Sequence, residues 1–146
     1  MNFPNKNLRI AEMHYNKSDI EKGDSALEHF TTGYFKNVAS CGKKLDINNY
    51  DFVLNWVIHN DEYYVQIGIP IGISPYHSSY YWRNWRQNIN NNEVWKVKWI
   101  VRGIVPNSFF EGKRYVLSNI QKNDIYRYLI NNMSLWCLDL YFHIFL

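Results

Sequence analysis

The sequence predicts an α+β fold: a mostly antiparallel sheet of about five strands with about three helices packed on one face. Three observations carry this. Runs with helical spacing alternate with β-branched and aromatic runs in the order α-β-β-α-β-β-α-β. Aromatic residues make up 18% of the 146-residue chain and charged residues only 20%, so a single large apolar core is within reach. Two cysteines close at most one bridge, which excludes a disulfide scaffold. With 7 Gly and 4 Pro, collagen-like and low-complexity classes are excluded as well.

Residues 1–24 keep no sustained period and mix Asn, Lys, Glu and Gly, so they read as an irregular N-terminal arm, with a short strand around 8–13 as its only candidate element. Residues 25–146 form one domain. Ser25-Ala26-Leu27-Glu28 fits a capping box, in which hydroxyl and carboxylate satisfy orphan N–H groups at a helix start. Leu27, Phe30, Tyr34, Val38 and Cys41 recur at helical spacing, and Gly42 stands where a left-handed cap belongs. Gly33 inside this helix costs up to about 1 kcal/mol against Ala, which points to a close crossing by another element.

Residues 52–58 and 63–69 are β-branched and aromatic, and His59-Asn60-Asp61-Glu62 between them has a centre that tolerates positive φ, so they form a hairpin. Alternation assigns Leu54, Trp56 and Ile58, with Val65, Ile67 and Ile69, to the core. Gly68-Ile69-Pro70-Ile71-Gly72 reads as a rigid connection leading to Ser74-Pro75, an N-cap followed by a first-turn proline. A second helix over 75–89 buries Ser78, Tyr81, Trp82, Trp85 and Ile89 and turns Tyr80, Arg83, Asn84 and Gln87 outward.

Asn90-Asn91-Asn92 is a turn. Residues 93–105 form a long strand with Trp95, Val97, Trp99 and Val101 on one face and Lys96, Lys98 and Arg102 on the other, wet face. A loop over 106–112, a short strand over 113–117 and a second capping box, Ser118-Asn119-Ile120-Gln121, follow. Ile125, Leu129 and Met133, with Tyr126 and Ile130, make the third helix amphipathic. A closing strand buries Trp136, Leu138, Leu140, Phe142 and Ile144.

Catalytic chemistry finds no support in the residue pattern. Cys137, Asp139 and His143 share a face of the closing strand, but at about 3.3 Å per residue Cys137 and His143 stand roughly 20 Å apart and Asp139 and His143 roughly 13 Å. His14, His29, His59 and His77 lack the spacing of metal-ligand pairs. Phosphate-cradling glycine motifs and the serine-hydrolase elbow are absent from the sequence. The chain is therefore expected not to be an enzyme and to need no metal or cofactor.

The N-terminus lacks the apolar run of a signal peptide, so the chain is expected to start at Met1 and to stay in the cytoplasm. Residues 135–146 are too short and too interrupted by Asp139 and His143 to span a membrane, and no helix candidate has the basic face that a membrane surface attracts.

A binding protein needs only a surface, and Tyr, Trp and Arg dominate protein–protein hot spots. The expectation is a small cytoplasmic protein that binds and inhibits a protein partner through Tyr80, Arg83, Lys96, Lys98 and Arg102. Bacterial toxin-immunity proteins and phage-encoded inhibitors are analogous in size and style only. The alternative is a single-stranded nucleic-acid-binding domain: Tyr80-Tyr81-Trp82-Arg83-Asn84-Trp85-Arg86 on the 75–89 helix suits base stacking, and the basic strand row, with Lys113 and Arg114, suits phosphate contact. A net charge of +3 is small for that role.

Overall fold

A computed structural model describes residues 7–14, 26–41, 45–74, 93–112 and 116–132. The elements in chain order are β1 (Ile10–His14), α1 (Ala26–Lys36), β2 (Val38–Cys41), a 3-10 turn (Ile47–Asn49), β3 (Phe52–His59), β4 (Glu62–Ile73), β5 (Glu93–Val105), a second 3-10 turn (Asn107–Phe110) and α2 (Asn119–Asn131). The five strands form one sheet in the order β1-β3-β4-β5-β2.

The sheet has five strands and is mixed, three of its joints antiparallel and one parallel: β1 runs parallel to β3, whereas β3–β4, β4–β5 and β5–β2 are antiparallel. It also curls. Ala11 and Met13 of the edge strand β1 pack in one cluster with Ala39 of the opposite edge β2 and with Val53, Trp95 and Val97. The described residues contain two α-helices, not three, and these lie on opposite faces, α1 in the concave side and α2 on the convex side. The expected helix over 75–89 and the closing strand over 135–146, with Cys137, Asp139 and His143, lie outside the described residues, as do residues 113–115 of the expected short strand.

The hairpin forms as expected. Asn60 and Asp61 take φ values of 50° and 62°, the paired left-handed conformation of a two-residue turn whose twist matches the strands. Leu54, Trp56, Val65 and Ile67 enter the convex-side core with Ile10, Val101, Val105, Phe110, Leu117, Ile125 and Leu129. Tyr63 stacks on Phe110 at 3.8 Å, and Trp56 meets the same ring edge-on at 5.4 Å. Ile58 and Ile69, expected in this core, are exposed instead. They stand near opposite limits of the paired stretch of β3 and β4, outside the cluster that α2 covers.

Helix α1 stops earlier than the spacing of Val38 and Cys41 suggests. Asn37 adopts a left-handed φ of 56°, and the next four residues pair with β5 as β2. Helix α2 begins as expected: Ser118 Oγ accepts from the Gln121 N–H at 3.1 Å while Gln121 Oε1 accepts from the Ser118 N–H at 2.9 Å, a complete capping box. Glu12 ties this helix start to β1, its carboxylate accepting from the Leu117 N–H at 2.7 Å and from Trp56 Nε1 at 2.8 Å.

The segment expected to be a connection, 68–72, is strand. β4 runs through to Ile73, past its last pairing with β3 at Val53 and Gly68, and stays paired with β5. Two register shifts mark this run. Ile67 faces Val101 and Gly68 faces Trp99, so Ile100 is an extra residue in β5; Pro70 faces Val97 and Gly72 faces Lys96, so Ile71 is an extra residue in β4. Gly68 is required at the first shift, because a Cβ there would lie 2.5 Å from Val97 Cγ1 and 2.6 Å from the Lys98 carbonyl oxygen. No described helix is long and apolar enough to cross a membrane.

Candidate functional site

The bulge at Ile100 decides where the basic residues of β5 go. Side chains alternate along a strand, so one extra residue moves everything beyond it to the opposite face. Trp95, Val97 and Trp99 keep to the concave side as expected, whereas Val101 joins the convex core. Arg102 crosses with it: instead of extending the wet row of Lys96 and Lys98, it is buried on the concave face beneath α1.

There Asn55, Gln66 and Arg102 stand side by side on β3, β4 and β5, all buried. Asn55 Nδ2 donates to the Met13 carbonyl at 2.8 Å, and Gln66 Nε2 donates to Asn55 Oδ1 and to the Phe30 carbonyl, each at 3.0 Å. The Arg102 guanidinium carbon lies 4.3 Å from the centre of the Tyr34 ring and 5.2 Å from that of Phe30. Burial lowers the Arg102 pKa and nearby Tyr34 acts in the opposite sense; a guanidinium remains charged regardless. Trp99 Nε1 donates to the Gly33 carbonyl at 3.0 Å, tying the helix to β5. Amides, a guanidinium, ring faces and helix carbonyls together can hold α1 in the sheet. Gln66 Oε1 is a buried acceptor with no donor among the described residues.

The second concentration of chemistry lies where β4 and β5 run past β3. Lys96 and Lys98 are exposed and two residues apart on one side of β5. Ile69 faces Lys98 across the pair, and Ile71 sits in the shift opposite Lys96. Ile69 and Ile71 are 39% and 63% exposed, while Ile73, beyond the shift, is 48% exposed and pairs with Trp95 of the concave face. Neither lysine makes an ion pair with a described residue. The structure thus keeps Lys96 and Lys98 together and removes Arg102 from their company. Tyr80 and Arg83, the other expected binding residues, lie outside the described residues.

The isoleucines were not recognisable as surface from residue type. The signal available was positional: Ile-Pro-Ile-Gly-Ile alternates like a strand, and proline confines such a strand to a sheet edge or a bulge. Among the remaining polar residues, His59 stands at the hairpin tip with its ring 6.2 Å from that of Tyr64. Among the described residues, no group of three or more His, Cys, Asp or Glu side chains is placed to hold a metal ion. Comparisons with protein-family models, with curated proteins and with solved structures gave no match.

Proposed function

We propose that the chain is a protein-binding module of the inhibitor type, acting by occluding a partner, and that the contact surface is the run of β4 and β5 beyond β3. The observation that carries this reading is the exposure of Ile69 and Ile71 beside Lys96 and Lys98, neither of which makes an ion pair with a described residue. Exposed apolar side chains rimmed by charge are what a protein interface leaves open when its partner is absent. The concave polar row serves as an anchor for α1 and lies too deep to meet a macromolecule. The single-stranded nucleic-acid reading loses Arg102 from its phosphate row, and its stacking helix over 75–89 lies outside the described residues.

Affinity purification of the tagged chain from its source cells, set against the same chain carrying Ile71→Asp, tests the proposal. One stoichiometric protein recovered with wild type and lost with Ile71→Asp is expected. Co-eluting RNA or DNA, or a partner retained by the variant, would overturn the reading or its surface.

A further inference from the structure

We propose that the occupant of this surface is an acidic segment of the partner with a large apolar side chain between its carboxylates, an inference that rests on the protein-binding reading above. The charge on the surface has one sign. Residues 63–73 and 94–105 contain no Asp or Glu. Four of the described acids are committed elsewhere: Asp51 to Arg9, Asp124 to Arg127, Glu12 to Leu117 and Trp56, and Asp46 to capping its own turn through the Asn48 N–H. Lys96 and Lys98 lie two residues apart on a strand, about 7 Å along its axis, a spacing that carboxylates on alternate residues of an extended segment reproduce.

Lysine side chains lay their methylene stems along apolar neighbours and hold the ammonium in water, and Lys98 directly faces Ile69. An entering apolar side chain is therefore met by Ile69 and Ile71, and its flanking carboxylates by the two ammonium groups. An all-apolar occupant would leave both cations unanswered at the rim. A polyanion such as single-stranded DNA would answer them but leave the isoleucines against phosphate and sugar.

Random peptides displayed on phage, selected on the purified full chain, test this. Selected peptides are expected to carry Asp or Glu around a large apolar residue, to bind more weakly as salt is raised, to lose about tenfold in affinity with Lys96→Glu/Lys98→Glu, and to lose binding with Ile71→Asp. Lys96→Gln/Lys98→Gln gives an intermediate loss, and thermal melts confirm that each variant folds. Peptides that need Ile71 but show no acidic preference and ignore the lysine variants overturn the acidic occupant while leaving the protein-binding reading in place. Peptides indifferent to Ile71→Asp, or labelled oligo-dT that binds wild type more tightly than any peptide and is lost on lysine reversal, overturn both.

Discussion

Gln66 and Arg102 face each other directly across β4 and β5, both buried, with the Arg102 guanidinium held over the Tyr34 ring of α1. A cation buried against two aromatic faces contributes more than one at the surface, about 2 kcal/mol where it is desolvated. Arg102→Ala should therefore destabilise the fold by about 2 kcal/mol or more, and Arg102→Lys should recover only part, since an ammonium lacks the planar stacking surface. A double-mutant cycle with Tyr34→Phe and Tyr34→Ala, read by urea unfolding, isolates the ring contribution. A loss within about 0.5 kcal/mol for Arg102→Ala would assign α1 docking to Phe30 and its neighbours instead.

Gly68 offers a sharper test of the bulge. An added methyl would meet Val97 Cγ1 at 2.5 Å, the Lys98 carbonyl oxygen at 2.6 Å and Trp99 Cα at 2.9 Å. Two of these are backbone atoms that cannot move aside without separating β4 from β5. Gly68→Ala should cost about 1–3 kcal/mol, the usual penalty of overpacking a well-filled interior. Amide exchange should quicken in residues 97–101 before it does in the β3–β4 turn. Unchanged protection there would mean that the strands accommodate the methyl.

The bulge also marks where the sequence stopped being legible. The hairpin and the Ser118 capping box were readable because their signals are local: a two-residue Asn-Asp turn, and a hydroxyl three residues before an amide. Arg102 was not, because an extra residue leaves no mark in an unbroken β-branched and aromatic run, yet it reverses every face assignment beyond it. The end of α1 was hidden similarly. Val38 and Cys41 continue the helical spacing of Phe30 and Tyr34, and only the left-handed Asn37 turns the same residues into a strand. Of the binding surface, the two lysines were legible from alternation. The isoleucines beside them were not, since their exposure depends on how far β4 outruns β3, a tertiary fact.

Alkaline pH should weaken the fold through three tyrosines. Burial raises the pKa of Tyr63 and Tyr126, and burial followed by the charge and hydrogen bond of Glu62 raises that of Tyr64, each from an ordinary value of 10.0. A raised folded value means that the unfolded chain ionises first. The stability these groups contribute is complete below pH 10 and is lost as pH rises through their folded values. Lys122 opposes this: burial lowers its pKa, with Glu12 countering, so its unfavourable desolvation fades as pH approaches the ordinary lysine value of 10.5. Denaturation midpoints measured across pH 9–11 should fall, and Tyr126→Phe should flatten the fall. A midpoint that climbs over this range would show that the lysine dominates.

Substitutions on the proposed contact surface should separate binding from folding. Ile71 is 63% exposed and neither lysine makes an ion pair with a described residue, so Ile71→Asp and Lys96→Glu/Lys98→Glu remove little native contact. Surface changes of this kind usually stay within about 0.5 kcal/mol. Ile67, two turns of the strand pleat inward from Ile71, is fully buried, and Ile67→Ala should cost about 2–5 kcal/mol. If Ile71 is a central contact, its loss should weaken partner binding by about 2 kcal/mol, roughly thirtyfold, with the melting transition unmoved. Urea melts of the three variants, paired with isothermal titration once the partner is purified, give both readings. A large stability loss in Ile71→Asp would show that this stretch of β4 is covered by the chain's own residues, and the contact surface would then have to be sought at the Asn60-Asp61 turn or the loop around Asn107.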